Sequence, residues 1–168
     1  SELRTGIDLP DYRLREVRER TLAAAAGLAQ PGGIMVLACE HGAGAGRLGG
    51  TVAFPCVAMA PPSLIDFILS KGLADGVLVA GCGESACYHR LGIEWTKQRF
   101  AGARDPYLRA RVPRERLATI WASPFEQGRF EAELAAFRAR VAQLPSAPAS
   151  PPALRRAAAD FLKERVRP

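Results

Sequence analysis

Rings are scarce in this 168-residue chain: Phe, Trp and Tyr make up 7% of it, and histidine occurs twice. A nucleic-acid reader stacks bases on aromatic side chains along a basic surface. With so few rings, and no basic helix interleaved with them, no nucleic-acid partner is expected. Long apolar runs are also missing. None approaches the roughly 18 to 20 residues that a membrane span needs, so no membrane span is expected either. The opening Ser1-Glu2-Leu3-Arg4 has no basic stretch followed by an apolar one, which argues against a secretory signal. A leading Ser without Met leads us to expect one domain of a longer protein. Finally, the cysteines show no paired C-x2-4-C knuckles of the kind that mark structural zinc.

What the chain does have is 48% hydrophobic residues, 24% charged residues and a net charge of +6. That suffices for one globular domain with a core and some peripheral material. Part of the basic surplus is interleaved with acids, as in Arg15-Glu16-Val17-Arg18-Glu19-Arg20, a pattern of solvated helix. The rest suits an acidic protein partner. Four cysteines in an Ala- and Arg-rich chain of cytoplasmic character point to metal or redox chemistry ahead of disulfides.

Four short apolar runs read as strands near 34–38, 51–55, 76–81 and 117–121. Helices are expected between and around them. The first is Asp11 to Ala29, with Asp11 as N-cap. Leu64 to Lys71 follows Pro61-Pro62-Ser63 and is stopped by Gly72. Cys87 to Phe100 makes a third. The clearest is Pro124 to Leu144, with a Ser123/Glu126 capping box and a face of Phe130, Leu134, Phe137, Val141 and Leu144. Alternating strands and helices predict an α/β fold: a three-layer open sheet of about four parallel strands with flanking helices, plus N-terminal and C-terminal helices. The organisation expected is an N-terminal helical extension over 1–32, a central domain over 33–145, and a tail over 146–168. Pro145 to Pro152 reads as a linker by composition, and Ala153 to Val166 as a short amphipathic helix packing through Leu154, Phe161 and Leu162.

The placement of the cysteines matters more than their number. Cys39 follows the first strand, Cys56 comes two residues after the second, Cys82 ends the third, and Cys87 lies five residues on. The carboxyl ends of parallel strands share one edge, where ligands bind, and neighbouring strands are about 4.8 Å apart. The four cysteines should therefore converge. Thiolates suit zinc or an iron–sulfur cluster, and Cys82-x4-Cys87 has the spacing of some [2Fe–2S] proteins. Gly42, Gly44, Gly46, Gly49 and Gly50 after Cys39, with Gly81 and Gly83 around Cys82, allow close backbone approach and leave N–H groups free for sulfur.

The stretch Gly81-Cys82-Gly83-Glu84-Ser85-Ala86-Cys87-Tyr88-His89 resembles the G-C-x4-C-[HY]-[YH] signature of the methyl-viologen-reducing hydrogenase delta subunit family. Ile34 to Cys39 and Val52 to Cys56 are similar to its first two strand-and-cysteine units. Arg114 to Ser123 resembles its E-R-(V/L)-x-x-x-W-x-S segment, so the likeness spans roughly residues 33 to 145. The resemblance implies an electron-transfer module carrying a [2Fe–2S] cluster, a non-catalytic component of an oxidoreductase complex. It implies Cys39, Cys56, Cys82 and Cys87 as ligands. The implied partners are redox subunits or domains: a hydrogenase, a formate dehydrogenase or a heterodisulfide-reductase-like flavoprotein. The chain departs from the family at Cys39-Glu40-His41-Gly42-Ala43-Gly44, where C-x-x-C-S-Y is common, and at Val57-Ala58-Met59, where S-G and a basic residue are common. Four cysteines still meet the number that such a cluster needs.

Rival readings are weaker. Gly44-Ala45-Gly46-Arg47-Leu48-Gly49 fits G-x-G-x-x-G, but Thr51 opens the next strand too soon for the helix that would hold a pyrophosphate. His41 and His89 read as neighbours of the site or surface residues ahead of ligands. Glu40 and Glu84 lack a nucleophile-and-base constellation. The basic stretch Arg90 to Arg116 reads as a solvated face or as a docking face for an acidic partner. The other functional class is a structural or interaction domain with zinc or no metal at the cysteines.

Overall fold

The computed structural model describes residues 11–29, 31–46 and 49–145. In chain order its elements are α1 (Leu14–Ala26), β1 (Ile34–Cys39), β2 (Thr51–Phe54), α2 (Pro62–Ser70), β3 (Gly76–Gly81), α3 (Gly92–Phe100), β4 (Leu117–Trp121) and α4 (Gln127–Ala142). The strands form one sheet in the order β2-β1-β3-β4, with every neighbouring pair parallel. Val36 lies opposite Thr51, Ile34 opposite Gly76 and Val77 opposite Leu117. The expected α/β architecture is thus the one observed.

Every residue of β1 and β3 is buried, as central strands covered on both faces require. Their side chains alternate between two cores. Ile34, Val36, Ala38, Leu78 and Ala80 join Ile120 and the face of α4 made by Phe130, Leu134, Phe137 and Val141. Met35, Leu37, Cys39, Val77 and Val79 join α1, α2 and the start of α3 on the other face. The three layers are therefore α4, the sheet, and the group α1–α3.

Helix ends differ from the expectation. Asp11 has φ 67°, outside the helical region, and α1 starts after Arg13 without a side-chain cap. Half of the capping box forms: the Glu126 carboxylate accepts the Ser123 N–H at 2.8 Å, and α4 starts only at Gln127, leaving Phe125 98% exposed. Gly72, at φ 61°, does follow the end of α2, a conformation glycine adopts at low cost. The Cys87-to-Phe100 helix starts five residues late, because Cys87–Arg90 closes as a turn through the Arg90 N–H on the Cys87 carbonyl (2.9 Å) and Arg90 takes φ 61°. The expected linker and the 153–166 helix lie outside the described residues. Among the described residues no helix is long and apolar enough to cross a membrane.

Candidate metal centre

All four cysteines reach the carboxyl edge of the sheet, each by a different local device. Cys39 is the last residue of β1, and its alternation with Met35 and Leu37 turns it toward the α1–α3 face. Cys56 sits in extended backbone two residues past β2, immediately before a single 3-10 turn, Val57–Met59. Cys82 follows β3 directly, and Cys87 sits on the turn that leads into α3. All four are free thiols; Cys39, Cys56 and Cys82 are buried and Cys87 is half-buried.

The thiols are mutual neighbours. Cys82 interacts electrostatically with Cys39 and Cys87, and Cys56 with Cys39, Cys82 and Cys87. Gly92, the first residue of α3, explains how the helix end comes so close. A Cβ there would collide with the Cys56 Sγ and lie 3.6 Å from the Cys87 Sγ. On the opposite side Gly42 is pressed on the end of β3, where a Cβ would sit 2.7 Å from the Gly81 carbonyl oxygen. The Gly42 loop also reaches β4's end, with the Ala43 N–H on the Ala122 carbonyl at 3.1 Å. Among the described residues, no group of three or more His, Cys, Asp and Glu side chains is arranged to hold a metal ion.

Every sulfur also meets backbone N–H groups. His41 donates to Cys39, Ala58 to Cys56, Tyr88 to Cys82, and Ile93, Gly92 and His89 to Cys87. Cys39 itself is 3.6 Å from the Pro55 carbonyl oxygen, to which its thiol donates. Burial pushes the Cys39 and Cys56 thiols up, and Cys82 to about 11. Burial pushes Cys87 up as well, but the N–H groups of Ile93 and Gly92 and the Cys82 thiol outweigh it, and Cys87 lies below the ordinary value. An anionic sulfur is therefore easiest at the mouth of α3.

The surroundings hold one feature that sequence reasoning missed. His41, Tyr88 and His89 form a cluster of exposed rings next to the cysteines in sequence: His41 stacks on Tyr88 with centroids 4.0 Å apart, and His89 meets both rings edge-on at 6.1 and 5.0 Å. Their positions two residues after Cys39, and one and two after Cys87, were the available signal. Part of the basic stretch is engaged within the domain. Arg109 and Arg111 both bind the buried Asp66 of α2, at 3.1 and 2.5 Å, and the Arg116 guanidinium donates to the Asp75 carbonyl at 2.7 Å. Lys97 pairs with Glu84. Much of the positive charge is thus committed within the domain.

Residues 48–145, well over half of the chain, match the family described as methyl-viologen-reducing hydrogenase, delta subunit. The chain belongs to that family. No curated protein matches it. The delta-subunit match takes in Cys56, Cys82 and Cys87 and begins after Cys39, which the resemblance of Ile34–Cys39 to the family's first strand had included. Membership gives the chain a redox-related role beside redox partners.

Proposed function

We propose that this delta-subunit domain is an electron-transfer module that holds a [2Fe–2S] cluster on Cys39, Cys56, Cys82 and Cys87. The observation that carries the reading is the meeting of four free thiols, each with a backbone N–H donor, at one sheet edge. Donor number, donor softness and N–H···S hydrogen bonding all fit such a cluster. When bound, the cluster would supply one-electron exchange.

The chain's own residues supply the setting. Burial of Cys39, Cys56 and Cys82 keeps water from the sulfurs, and the N–H groups at the mouth of α3 favour negative charge on Cys87. Exposed Tyr88, at 68%, and Phe125 mark the same edge as the one a partner would cover. The partners would be redox subunits or domains: a hydrogenase, a formate dehydrogenase or a heterodisulfide-reductase-like flavoprotein. The chain would act as a non-catalytic component between them. Four cysteines pointing to metal or redox chemistry ahead of disulfides suit a cytoplasmic setting.

The test is iron, sulfide and zinc content after anaerobic reconstitution, with visible absorption, for wild type and four single Cys→Ser variants. Two irons and two sulfides per chain are expected in wild type, and loss or distortion of the spectrum in each variant. Stoichiometric zinc, no metal at all, or full iron retention in any two variants would overturn the reading and favour a structural or interaction domain.

A further inference from the structure

The face of α3 that meets Cys56 carries more than a glycine. Gly92, Thr96 and Arg99 follow one another at intervals of four and three, so they form one stripe along the helix. Gly92 abuts the Cys56 Sγ. Buried Thr96 turns its hydroxyl back to donate to the Gly92 carbonyl at 2.8 Å. Arg99 completes the stripe and donates from Nη1 to the Ala58 carbonyl at 2.5 Å, on the 3-10 turn that begins beside Cys56. The helix therefore grips the Cys56 turn at both ends.

Arg99 is unusual in what it lacks. Its Nε is buried without a hydrogen-bond partner, and among the described residues no carboxylate pairs with it. A second cation stands near: Arg104, whose guanidinium lies 4.2 Å from the Trp95 ring centroid, repels Arg99, whereas Cys56 favours its charge. Two arginines held together, one of them partly desolvated and without an acid, form an electropositive spot that an anion would relieve. The fold sets Cys56 beside that spot, at the head of the turn whose Ala58 carbonyl Arg99 holds and against Gly92 of the same helix stripe.

We propose that Arg99, backed by Arg104, is the half-buried counter-charge of the cysteine site, a positioning residue that sets the electrostatic potential at Cys56 and raises the reduction potential of the cluster held there. The inference rests on the cluster reading for its second part only. One-electron reduction by a redox partner adds one negative charge to the cluster. A fixed positive charge behind Cys56 stabilises that reduced state over the oxidised one.

The experiment compares wild type with Arg99→Gln and Arg99→Lys by two readouts. The first uses metal-free protein: rates of alkylation at Cys56 by anionic iodoacetate and by neutral iodoacetamide, measured by peptide mass mapping. Their ratio at one pH cancels the thiolate fraction and reports local potential alone. Arg99→Gln should lower that ratio about threefold, the size of one charge felt through well-screened surroundings, and Arg99→Lys should preserve it. The second is the midpoint potential of reconstituted protein. Arg99→Gln should move it to more negative values by about tenfold in the one-electron equilibrium, roughly 59 mV, and Arg99→Lys should restore it. An unchanged alkylation ratio in Arg99→Gln overturns the counter-charge. A lowered ratio with an unchanged potential overturns its role at the cluster and leaves the cluster itself intact. A wild type that takes up no iron sinks the cluster reading and the potential claim, and the ratio alone then decides the counter-charge. Should Arg99→Gln fail to fold, Arg104→Gln must lower the ratio by a smaller factor, and no change there overturns the proposal.

Discussion

On one side of the sheet, β1 and β3 offer Ile34, Val36, Ala38, Leu78 and Ala80 to a single long helix, and the core formed with Phe130, Leu134, Phe137 and Val141 is apolar throughout. On the other side the same strands offer Met35, Leu37, Val77 and Val79 to three helices, and that core ends at the carboxyl edge in Cys39 and Cys82. The α4 side is covered by one amphipathic element whose spacing alone secures it. The α1–α3 side is assembled from shorter pieces that leave a rim of loops, and the thiols sit in that rim. The chemistry is thereby placed on one face of the sheet, at the rim of its larger core, while the α4 face serves packing alone.

That division can be broken from either side. Phe137→Ala removes a fully buried ring from the α4 side and should cost about 3–5 kcal/mol, read from denaturant unfolding of the metal-free protein. Because the damage lies away from the thiols, the fraction that remains folded should retain its iron-binding capacity per folded chain. A selective loss of metal with little loss of stability would show the two faces to be coupled.

Gly92→Ala attacks the other side. The added methyl collides with the Cys56 Sγ, so Cys56 or the start of α3 must give way, at about 1–3 kcal/mol. Iron uptake should fall far more than stability does, which reverses the pattern of Phe137→Ala. Uptake equal to wild type would show that Cys56 is free to move away from α3.

A smaller effect follows from the raised thiols. Cys39, Cys56 and Cys82 lie above the ordinary 9.0, Cys82 at about 11, so the folded state holds protons that the unfolded chain has released. Their contribution is complete below pH 9 and is lost as pH rises toward 11. Lowered Cys87 acts in the opposite sense and in an earlier window, its contribution growing as pH rises toward 9 and staying constant above it. Thermal melts of the metal-free protein should show Tm falling over the higher window, and Cys82→Ser should flatten the fall. At neutral pH Cys87 should be alkylated first, being both the most exposed and the most anionic of the four.

The strands and the placement of the cysteines at one sheet edge were legible in the sequence because both follow from local pattern. Runs such as Ile34–Ala38 and Gly76–Gly81 are continuously apolar, and parallel strands carry whatever follows them to the same edge. The parts that were not legible depend on residues far apart in the chain. Asp66 reaches Arg109 and Arg111 across 43 and 45 positions, and nothing local in a basic stretch says which arginines are already paired. The late start of α3 turns on positive φ at Arg90, which residue type alone does not announce. The ring cluster of His41, Tyr88 and His89 exists only because two loops far apart in the chain meet.

The strand order β2-β1-β3-β4 has a consequence for how such a protein is made. Zinc knuckles keep their ligands a few residues apart, so metal can organise a nascent chain. Here Cys39, Cys56 and Cys82 stand at the ends of three separate strands, and their sulfurs meet only after those strands have paired side by side. Parallel pairing is non-local and slow. Any inorganic centre built on these thiols is therefore a late arrival in biogenesis, delivered to a finished scaffold, and the scaffold must survive on its apolar faces while it waits.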